Sequence, residues 1–309
     1  MARRREFAAK SSIAENFQTI AGRDNRWLKR FRAALCGERG DDGAVGVEGA
    51  RLVEAALGSS LPVEAILVSE SGARHLPRVA HVLPPDVPVL RTSDKLFAGV
   101  ADTRTPQGIA ALVRTRQASV EELLKGAPAF VVALMAIQDP GNVGTIIRAA
   151  EAFGATGAAT CLVDGTGTAD PFASKALRAS AGSALRLPIA RGISATVLLA
   201  QLRVLRVKVY AAVAVHDAQE SSAAQPAKEG QRAKPPWAVD WKEPAAILIG
   251  NEGAGLPPEI VRSADERVYI PQTPGAAPAG LESLNAAMAA SVLLYEAMRQ
   301  RTRAAERKS

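Results

Sequence analysis

Residues 137–148 read Ile137-Gln138-Asp139-Pro140-Gly141-Asn142-Val143-Gly144-Thr145-Ile146-Ile147-Arg148 and follow the longest apolar run of the chain, residues 127–137. Two later stretches repeat the arrangement of an apolar run, a turn and a helix-like pattern: Ile247-Leu248-Ile249-Gly250-Asn251-Glu252-Gly253-Ala254-Gly255-Leu256 and Glu282-Ser283-Leu284-Asn285. Loops at the ends of neighbouring strands are where α/β folds build their sites. The three stretches therefore predict an α/β fold whose site combines residues far apart in the sequence.

Strand-like and helix-like runs alternate in two parts of the chain, which favours a parallel sheet covered by helices. With 309 residues, 48% of them hydrophobic, the chain is long enough for two globular domains. We predict five parts in chain order: a basic flexible arm at 1–22, a smaller α/β domain at 23–115, a linker at 116–127, the main α/β domain at 128–301 and a basic tail at 302–309.

Apolar periodicity and capping residues predict the individual elements. The smaller domain is predicted to contain strands 44–47, 63–68, 87–90 and 109–113 and helices 49–57 and 93–100. The main domain is predicted to contain strands 130–137, 158–163, 187–190, 207–215, 245–249 and 267–270 and helices 143–153, 174–181, 196–205 and 283–301. Ser119 and Glu122 predict a capping box that opens a short connecting helix. Residues 216–244 are polar without an apolar period and are predicted to be a loop.

Several classes of protein are disfavoured by composition. No apolar run reaches the length of a membrane span, and no apolar segment of a secretory signal follows the N-terminal arginines. Two cysteines, Cys36 and Cys161, cannot form a disulfide framework, so a reducing cytoplasm is the expected setting. The histidines His75, His81 and His216 lack the spacing of metal ligands, and no metal is expected.

The formal net charge of +7 suits a polyanionic partner, because binding to basic side chains releases counterions from a nucleic acid. Charge alone is weak evidence, since many basic proteins bind no nucleic acid. Seven Phe, three Trp and three Tyr leave few side chains for stacking on single-stranded bases.

The first stretch is predicted to form a turn at Pro140 and Gly141, with Asn142 as the N-cap of a helix. Arg148 follows one and a half turns later, where its side chain can reach back toward the loop. The alternative is that Asn142 only caps the helix and that Arg148 pairs with a surface carboxylate such as Glu151.

The second stretch is a glycine-rich loop after an apolar strand. It lacks the Lys-Ser/Thr of a P-loop, and its glycine spacing differs from that of the dinucleotide-binding fingerprint. Bare backbone at Gly250 and its neighbours can face a ligand, and Glu252 can orient either Arg148 or that ligand. The alternative is an ordinary strand-to-helix turn with a solvated glutamate, followed by Pro257 at a helix start.

The third stretch opens a helix, with Ser283 predicted as its cap. The N-terminus of that helix offers unpaired N–H groups to a ligand. The alternative is a C-terminal core helix with an ordinary cap.

Together the three stretches resemble the three motifs of the SpoU/TrmH family of RNA ribose 2′-O-methyltransferases, within the SPOUT superfamily. The resemblance implies S-adenosylmethionine as cofactor, RNA as substrate, a homodimer, and a parallel sheet with a C-terminal trefoil knot. It implies no metal. The implied catalytic residues are Arg148, Asn142, Glu252, Ser283 and Asn285. The implied cofactor-binding residues are Leu248, Gly250, Ile270 and Leu284.

The resemblance extends over about residues 25–300. Residues 47–57 and 102–109 resemble the RNA-binding domain that precedes the catalytic domain in this family, a domain similar to ribosomal RNA-binding proteins of the kink-turn type. Lys175 and Arg178 are candidate RNA contacts, with a solvated helix face as the alternative. The chain departs from the family pattern at Gln272, where methionine is usual, and in the longer loop 272–281.

We therefore expect an S-adenosylmethionine-dependent RNA ribose 2′-O-methyltransferase acting on ribosomal RNA. The alternatives are a transfer-RNA ribose methyltransferase, a non-catalytic RNA-binding protein that retains the fold, and a Rossmann-type nucleotide binder. A guanidinium is always protonated at neutral pH, so we expect Arg148 to bind a phosphate and stabilise developing alkoxide charge rather than to accept a proton.

Overall fold

The computed structural model describes residues 17–38, 43–126, 128–214, 232–272 and 284–306. The chain divides into two compact units. Unit 1 comprises residues 1–116 and 172–186, and unit 2 comprises residues 117–171 and 187–309. Residues 172–186, predicted to lie in the main domain at 128–301, cluster with unit 1 by their contacts. Their apolar side chains Phe172, Leu177 and Leu185 are buried, and the segment packs with unit 1.

Unit 1 is built on a five-stranded sheet. Its strands are β1 (Phe17–Thr19), β2 (Ala44–Glu48), β3 (Val63–Ser69), β4 (Val89–Thr92) and β5 (Ile109–Arg114). Its helices are α1 (Arg26–Leu35), α2 (Ala50–Leu57), α3 (Leu76–Val79), α4 (Asp94–Ala98) and α7 (Ser174–Ser180), with 3₁₀ turns at Ser71–His75 and Ser183–Leu185. The strand order is β1-β4-β3-β5-β2, in which β5 runs antiparallel to both neighbours and the other pairs are parallel.

The prediction that residues 1–22 form a flexible arm is wrong for the C-terminal end of that segment. Phe17–Thr19 pairs with β4, and Ile20 is 2% exposed in the core of unit 1. Helix α1, which was not predicted, follows: Asn25 caps it, and its buried face packs on the same core. Its buried residues Leu28, Phe31, Ala34 and Leu35 keep a helical spacing, and its four basic side chains occupy the other positions. Residues 1–16 lie outside the described residues.

Unit 2 contains a seven-stranded sheet. Its strands are β6 (Phe130–Met135), β7 (Gly157–Val163), β8 (Thr166–Gly167), β9 (Ile189–Ser194), β10 (Lys208–Val213), β11 (Ala245–Ile249) and β12 (Glu266–Tyr269). Its helices are α5 (Val120–Leu123), α6 (Pro140–Ala152), α8 (Ala195–Val204), α9 (Pro258–Ser263) and α10 (Ala286–Glu306), with a 3₁₀ turn at Pro236–Ala238. The order is β12-β10-β11-β6-β7-β8, with β9 also on β7. The trefoil knot stays a prediction.

All pairs in this sheet are parallel except that of β8 with β7. Neighbouring parallel strands end at the same edge, and the register sets Ile249 beside Leu134. The loops that leave β6 and β11 therefore start side by side. This register brings the first two sequence stretches together.

The described part of the predicted loop 216–244 is a loop, with a 3₁₀ turn at Pro236–Ala238 and a single bridge of Lys234 to Val268, but part of it is packed into the core. Trp241 is fully buried, 4.6 Å from the Tyr210 ring and 6.1 Å from the Phe130 ring, measured between centroids. Its indole N–H donates to the Pro236 carbonyl at 2.9 Å, which satisfies its only polar group. Residues 215–231 lie outside the described residues.

Helix α10 extends to Glu306, beyond the predicted start of the basic tail at 302. Arg301 holds this end of the helix in place. Its guanidinium lies 4.6 Å from the Phe130 ring centroid. It also donates to the backbone carbonyls of Pro128, Ala129, Trp241 and Glu243. Burial lowers the pKa of Arg301 to about 10, so the group remains charged at neutral pH. Residues 307–309 lie outside the described residues.

The predicted capping box is confirmed. Ser119 and Glu122 form the capping box of α5. Cys161 is a fully buried core residue, and burial raises the pKa of its thiol to about 12. Among the described residues, no helix combines the length and apolar character needed to cross a bilayer. The same residues include no cluster of three metal-ligating side chains.

Candidate active site

The loop that leaves β6 turns at Ala136, which adopts a left-handed conformation with φ 54°. Pro140 then starts α6, and the Asp139 carboxylate caps the helix by accepting from the Gly141 N–H at 3.0 Å. The prediction that Asn142 is the cap is wrong. Proline is favoured at the first helical position, so the cap falls one residue before it. This shift leaves the Asn142 side chain free for other contacts.

Glu252 lies at the centre of a hydrogen-bond network that joins the first two stretches. Its Oε1 accepts from the Asn142 Nδ2 at 3.0 Å and from the Asp139 N–H at 3.2 Å. Its Oε2 accepts from the Gln138 N–H at 3.2 Å and from the Asn251 Nδ2 at 3.3 Å. An ionised carboxylate only accepts hydrogen bonds, so it matches four donors. The contacts of Glu252 therefore go to Asn142 and the loop, and not to Arg148.

Asn285 adds the third stretch to this network. Its Nδ2 donates to the Asn142 Oδ1 at 3.1 Å. Its Oδ1 accepts from the N–H groups of Ala287 and Met288 at 2.9 and 3.3 Å, so Asn285 supplies the capping oxygen at the start of α10. Ser283, predicted as the cap, lies outside the described residues. The sequence predicted three separate turns. In the structure, the Asn142 side chain hydrogen-bonds to both Glu252 and Asn285.

The orientations of the two amides follow from their partners. Because Glu252 accepts only, Asn142 presents its NH₂ group to it and keeps its oxygen for Asn285. Asn285 must then use its NH₂ group toward Asn142 and its oxygen toward the helix N–H groups. Each NH₂ group carries two hydrogens, and each uses one in these contacts. Within the described part of the chain, one N–H of Asn142 and one of Asn285 therefore have no acceptor, and they can donate to a substrate.

The pKa of Glu252 reflects two opposing effects. Burial favours the neutral acid and raises the pKa. The hydrogen bonds from the Asn142 amide and from backbone N–H groups favour the carboxylate, and they outweigh burial. The pKa of Glu252 is therefore below its usual value, and the network contains a carboxylate at neutral pH.

The glycine-rich loop after β11 folds back on itself. Asn251 and Gly255 exchange two backbone hydrogen bonds of 3.0 Å each, and Gly255 has φ +68°. A Cβ atom at Gly250 would lie 2.4 Å from the Gly255 carbonyl carbon, so only glycine fits there. The Asn251 side chain fastens the loop to β6 by donating to the Ala136 carbonyl at 2.9 Å.

Gln138 and Asn251 were not predicted as site residues. The Gln138 side chain donates to the carbonyls of Ala136 and Gly167, at 3.0 and 2.8 Å. With Asn251 it holds Ala136 in its left-handed conformation, and this turn aims the Gln138 and Asp139 N–H groups at Glu252. Both residues lie inside the first two stretches, but no pattern in the sequence marked them as site residues rather than ordinary loop residues.

Arg148 lies on the exposed side of α6, six residues after Asn142. Within the described part of the chain it forms no hydrogen bond and no ion pair, so the alternative pairing with Glu151 is absent there. Six residues of helix advance about 9 Å, within the reach of an arginine side chain. Among the described residues, the Arg148 guanidinium therefore makes no contact with the Glu252 network, and its donors can bind a ligand.

The predicted cofactor residues differ in accessibility. Leu248 is fully buried in the core, so its side chain cannot line a pocket, and only its backbone remains for contact. Gly250, Ile270 and Leu284 are all partly exposed. Ile270 follows β12, and Gly250 follows β11. Since β10 lies between these strands, their ends are about 10 Å apart, the span of a nucleoside. Bare backbone at one end and an apolar side chain at the other fit S-adenosylmethionine.

Arg178, a predicted RNA contact, forms an ion pair inside unit 1. Its Nη1 lies 2.9 Å from the Asp102 Oδ2, and the Ser174 hydroxyl hydrogen-bonds to both groups. The bonds from Ser174 and Arg178 lower the pKa of Asp102 despite its burial. Lys175 is exposed on the same helix, α7. A role for either residue in RNA binding stays a prediction.

Substitution of Asn285 by aspartate separates its two contacts. The carboxylate keeps an oxygen for the Ala287 and Met288 N–H groups, and negative charge is favourable at a helix N-terminus, so we expect the unfolding midpoint to be unchanged. It cannot donate to Asn142, so we expect kcat at this site to fall about tenfold. Asn285→Ala should lose about 1 kcal/mol of stability as well. Wild-type turnover in both variants would remove Asn285 from the site.

Comparison with known protein families identifies two matches. Residues 129–295 match the model of the SpoU rRNA Methylase family. Residues 36–111 match the model of an MRM3-like substrate binding domain. The second match lies within unit 1, and the first contains all three stretches that meet at Glu252.

Individual relatives agree with these models. A 23S rRNA (guanosine(2553)-2′-O)-methyltransferase of Bacillus subtilis is 32% identical over 249 residues, which cover 81% of this chain and 86% of that protein. The structure of an AdoMet-bound rRNA methyltransferase from Sinorhizobium meliloti is 28% identical, with a TM-score of 0.71 over 92% of this chain and 98% of that one. The SpoU methyltransferase AviRb from Streptomyces viridochromogenes, in complex with AdoMet, is 25% identical, with a TM-score of 0.72 over 90% and 100%.

Proposed function

This chain belongs to the SpoU family of RNA methylases, and we propose that it methylates a ribose 2′-hydroxyl of ribosomal RNA at the site formed by Asn142, Glu252 and Asn285. Methylation of RNA ribose with S-adenosylmethionine as donor is the activity of the family. One observation supports this assignment of the site: side chains from three separated stretches form direct hydrogen bonds with one another.

The cofactor, when bound, supplies an electrophilic methyl group on a sulfonium. The partly exposed Ile270 and Leu284 would hold its adenosine portion, and the backbone at Gly250 would lie against it. In transfer from a sulfonium to an oxygen anion the charges cancel, so a site that excludes water favours the reaction. This chain therefore has to align the hydroxyl and stabilise the oxygen as its proton leaves.

Asn142 and Asn285 carry out the alignment. Each has one amide N–H that is not used in the network, and both side chains are fixed through Glu252 and the start of α10. Two fixed donors can hold a ribose oxygen in one orientation, which lowers the entropic part of the barrier. Glu252 acts as a positioning residue, because its carboxylate contacts the amide and the loop.

Arg148 would bind the phosphate next to the target nucleotide. Its guanidinium is exposed and has no partner among the described residues, so it keeps its donors for a phosphate. A bound guanidinium also stabilises negative charge on the neighbouring ribose oxygen. The proton of the hydroxyl would leave to a phosphate oxygen or to water.

Unit 1 would bind the RNA. Its match to a substrate-binding domain and the net positive charge of the chain support this role. We also propose that the protein acts in the cytoplasm during maturation of ribosomal RNA, and both cysteines are free as a reducing compartment requires.

Mapping of ribose methylation tests the proposed reaction. Purified protein and S-adenosylmethionine should protect one position of unmodified 23S ribosomal RNA from alkaline cleavage, since a 2′-O-methyl group blocks attack on the neighbouring phosphate. The Arg148→Ala variant should give no protection. Methylation of a base, or of transfer RNA alone, would contradict the proposal.

We further propose a homodimer, as the family resemblance implies. Met288, Val292 and Tyr295 form an apolar stripe on α10, with exposures of 61%, 43% and 51%. Their spacing places them on one face of the helix. The Phe153 ring, at the end of α6, packs edge-on against Tyr295 with centroids 5.7 Å apart. This stripe is the surface expected to be covered by a second copy.

The variant Val292→Asp should convert the dimer to a monomer, because burial of an unpaired carboxylate in the interface costs several kcal/mol. Sedimentation velocity measures the change. Val197→Asp is the matched control: it places the same charge at an apolar position of α8 that is 48% exposed. A dimer that survives Val292→Asp, or that Val197→Asp also dissociates, would contradict this assignment.

A further inference from the structure

A basic cavity lies at the opposite edge of the unit 2 sheet from the Glu252 network. Its volume is about 310 Å³, and its wall includes Arg203, Arg206, Lys208, Ser263 and Asp265. Lys208 is the first residue of β10, whereas the Glu252 network follows the last residues of β6 and β11. Parallel strands of five or six residues separate the two edges by about 20 Å. The cavity is therefore distinct from the catalytic site.

The charges in this wall are only partly compensated. Lys208 pairs with Glu266 at 2.5 Å, and the Asp265 Oδ2 accepts from the Val209 N–H at 2.7 Å. Arg203 has one long contact, 3.5 Å to the Ser263 carbonyl. Arg206 has no side-chain partner among the described residues. Two guanidinium groups thus face the cavity without a carboxylate partner in the described part of the chain.

The backbone at Arg206 is set by the end of α8. Arg206 turns the chain from α8 into β10 with φ 55°, in the left-handed region that glycine adopts without strain. This conformation closes the helix, because the Val207 N–H donates back to the Leu202 carbonyl at 2.9 Å. The helix end thus fixes the position of Arg206 at the cavity wall.

We propose that Arg203 and Arg206 bind a phosphate of the RNA backbone, as a second anchor about 20 Å from the methylated nucleotide. This inference deepens the proposed function and rests on it. Paired guanidinium groups suit phosphate, which they bind through two parallel hydrogen bonds. The anchor would lie on unit 2 itself, so the catalytic unit would hold the RNA in register through its own contacts.

The double variant Arg203→Gln/Arg206→Gln tests this anchor with the full-length protein and a 23S ribosomal RNA transcript. We expect affinity for the RNA to fall about tenfold, and kcat at saturating RNA to be unchanged. The slope of log affinity against log salt concentration should become shallower by about 0.7–0.9, the contribution of the one phosphate contact that is lost. Arg203→Lys/Arg206→Lys should recover part of the affinity, because the positive charges remain.

Two controls distinguish a local site from general charge. Lys125→Gln/Arg303→Gln removes the same two charges from exposed positions of unit 2 outside the cavity wall, and it should leave affinity nearly unchanged. Arg206→Gly relieves the left-handed strain, so its melting temperature should be equal to or above that of the wild type. Its affinity should nevertheless fall about threefold.

Three results would overturn the anchor: equal losses in the double variant and its charge control, a fall in kcat with unchanged affinity, or unchanged RNA affinity with an altered sedimentation coefficient. The last would identify the cavity as a protein contact. If the wild-type protein itself neither binds nor methylates ribosomal RNA, the proposed function fails as well. That result differs from failure of the anchor alone, in which the wild type remains active.

Discussion

Arg148→Ala is expected to lower kcat for RNA methylation by about 10²–10³-fold, the loss found when one donor to a developing oxyanion is removed. The fold should be unaffected, since Arg148 has no hydrogen-bond or ion-pair partner within the described residues and alanine is a better helix former. Steady-state methylation of a 23S ribosomal RNA transcript at saturating RNA and S-adenosylmethionine measures kcat. Calorimetric titration with S-adenosylmethionine should give the wild-type affinity.

Two variants sharpen this test. Arg148→Lys keeps the charge but loses the two parallel hydrogen bonds of the guanidinium, so its kcat should lie between those of the wild type and Arg148→Ala. Arg303→Ala removes an exposed arginine from α10 and should have wild-type kcat. Full activity of Arg148→Ala would refute the catalytic role, and equal losses in Arg303→Ala would reduce it to a general effect of charge.

Glu252→Ala should affect both stability and turnover. It leaves four donors without their acceptor: the N–H groups of Gln138 and Asp139 and the side-chain NH₂ groups of Asn142 and Asn251. Water can reach this partly buried group, so we expect the free energy of unfolding to fall by about 2 kcal/mol rather than by the full sum. Loss of the alignment of Asn142 should lower kcat by about a hundredfold.

The pH dependence of the free energy of unfolding tests whether the ionised Glu252 carboxylate is the source of the lost stability. Its pKa is lowered in the folded state, so its contribution is fully present above the ordinary value of 4.5 and is lost as the pH falls through the folded value. The difference in unfolding free energy between the wild type and Glu252→Ala should therefore narrow below about pH 4.5. Glu259→Ala, at an exposed position of α9, should not show the loss of about 2 kcal/mol. A pH-independent gap would contradict the assigned ionisation.

Three residues of the Glu252 network were predicted from the sequence. Asn142, Glu252 and Asn285 could be proposed from the sequence alone, because each lies in one of the three stretches with the family pattern. Most strands and helices of both units follow from period and capping residues for the same reason: these signals are local. The match to the SpoU family confirms the family that those stretches indicated.

Local signals failed where distant contacts decide the outcome. Trp241 lies in a polar segment, and the Tyr210 and Phe130 rings, from two other strands, pack against it in the core. Residues 17–22 gained their structure by pairing with β4, about seventy residues later. Residues 172–186 cluster with unit 1 although the chain on both sides belongs to unit 2. None of these contacts leaves a period or a cap in the sequence.

The amino-acid sequence by itself determined the family, the reaction and the residue types at the site, because those depend on short motifs whose chemistry is carried by neighbouring residues. The tertiary structure alone decided which atoms meet. Asp139 rather than Asn142 caps α6, Glu252 binds Asn142 and the loop rather than Arg148, and Asn285 completes the network. These choices depend on the register of β6 with β11, and a strand register is fixed by packing of the whole sheet.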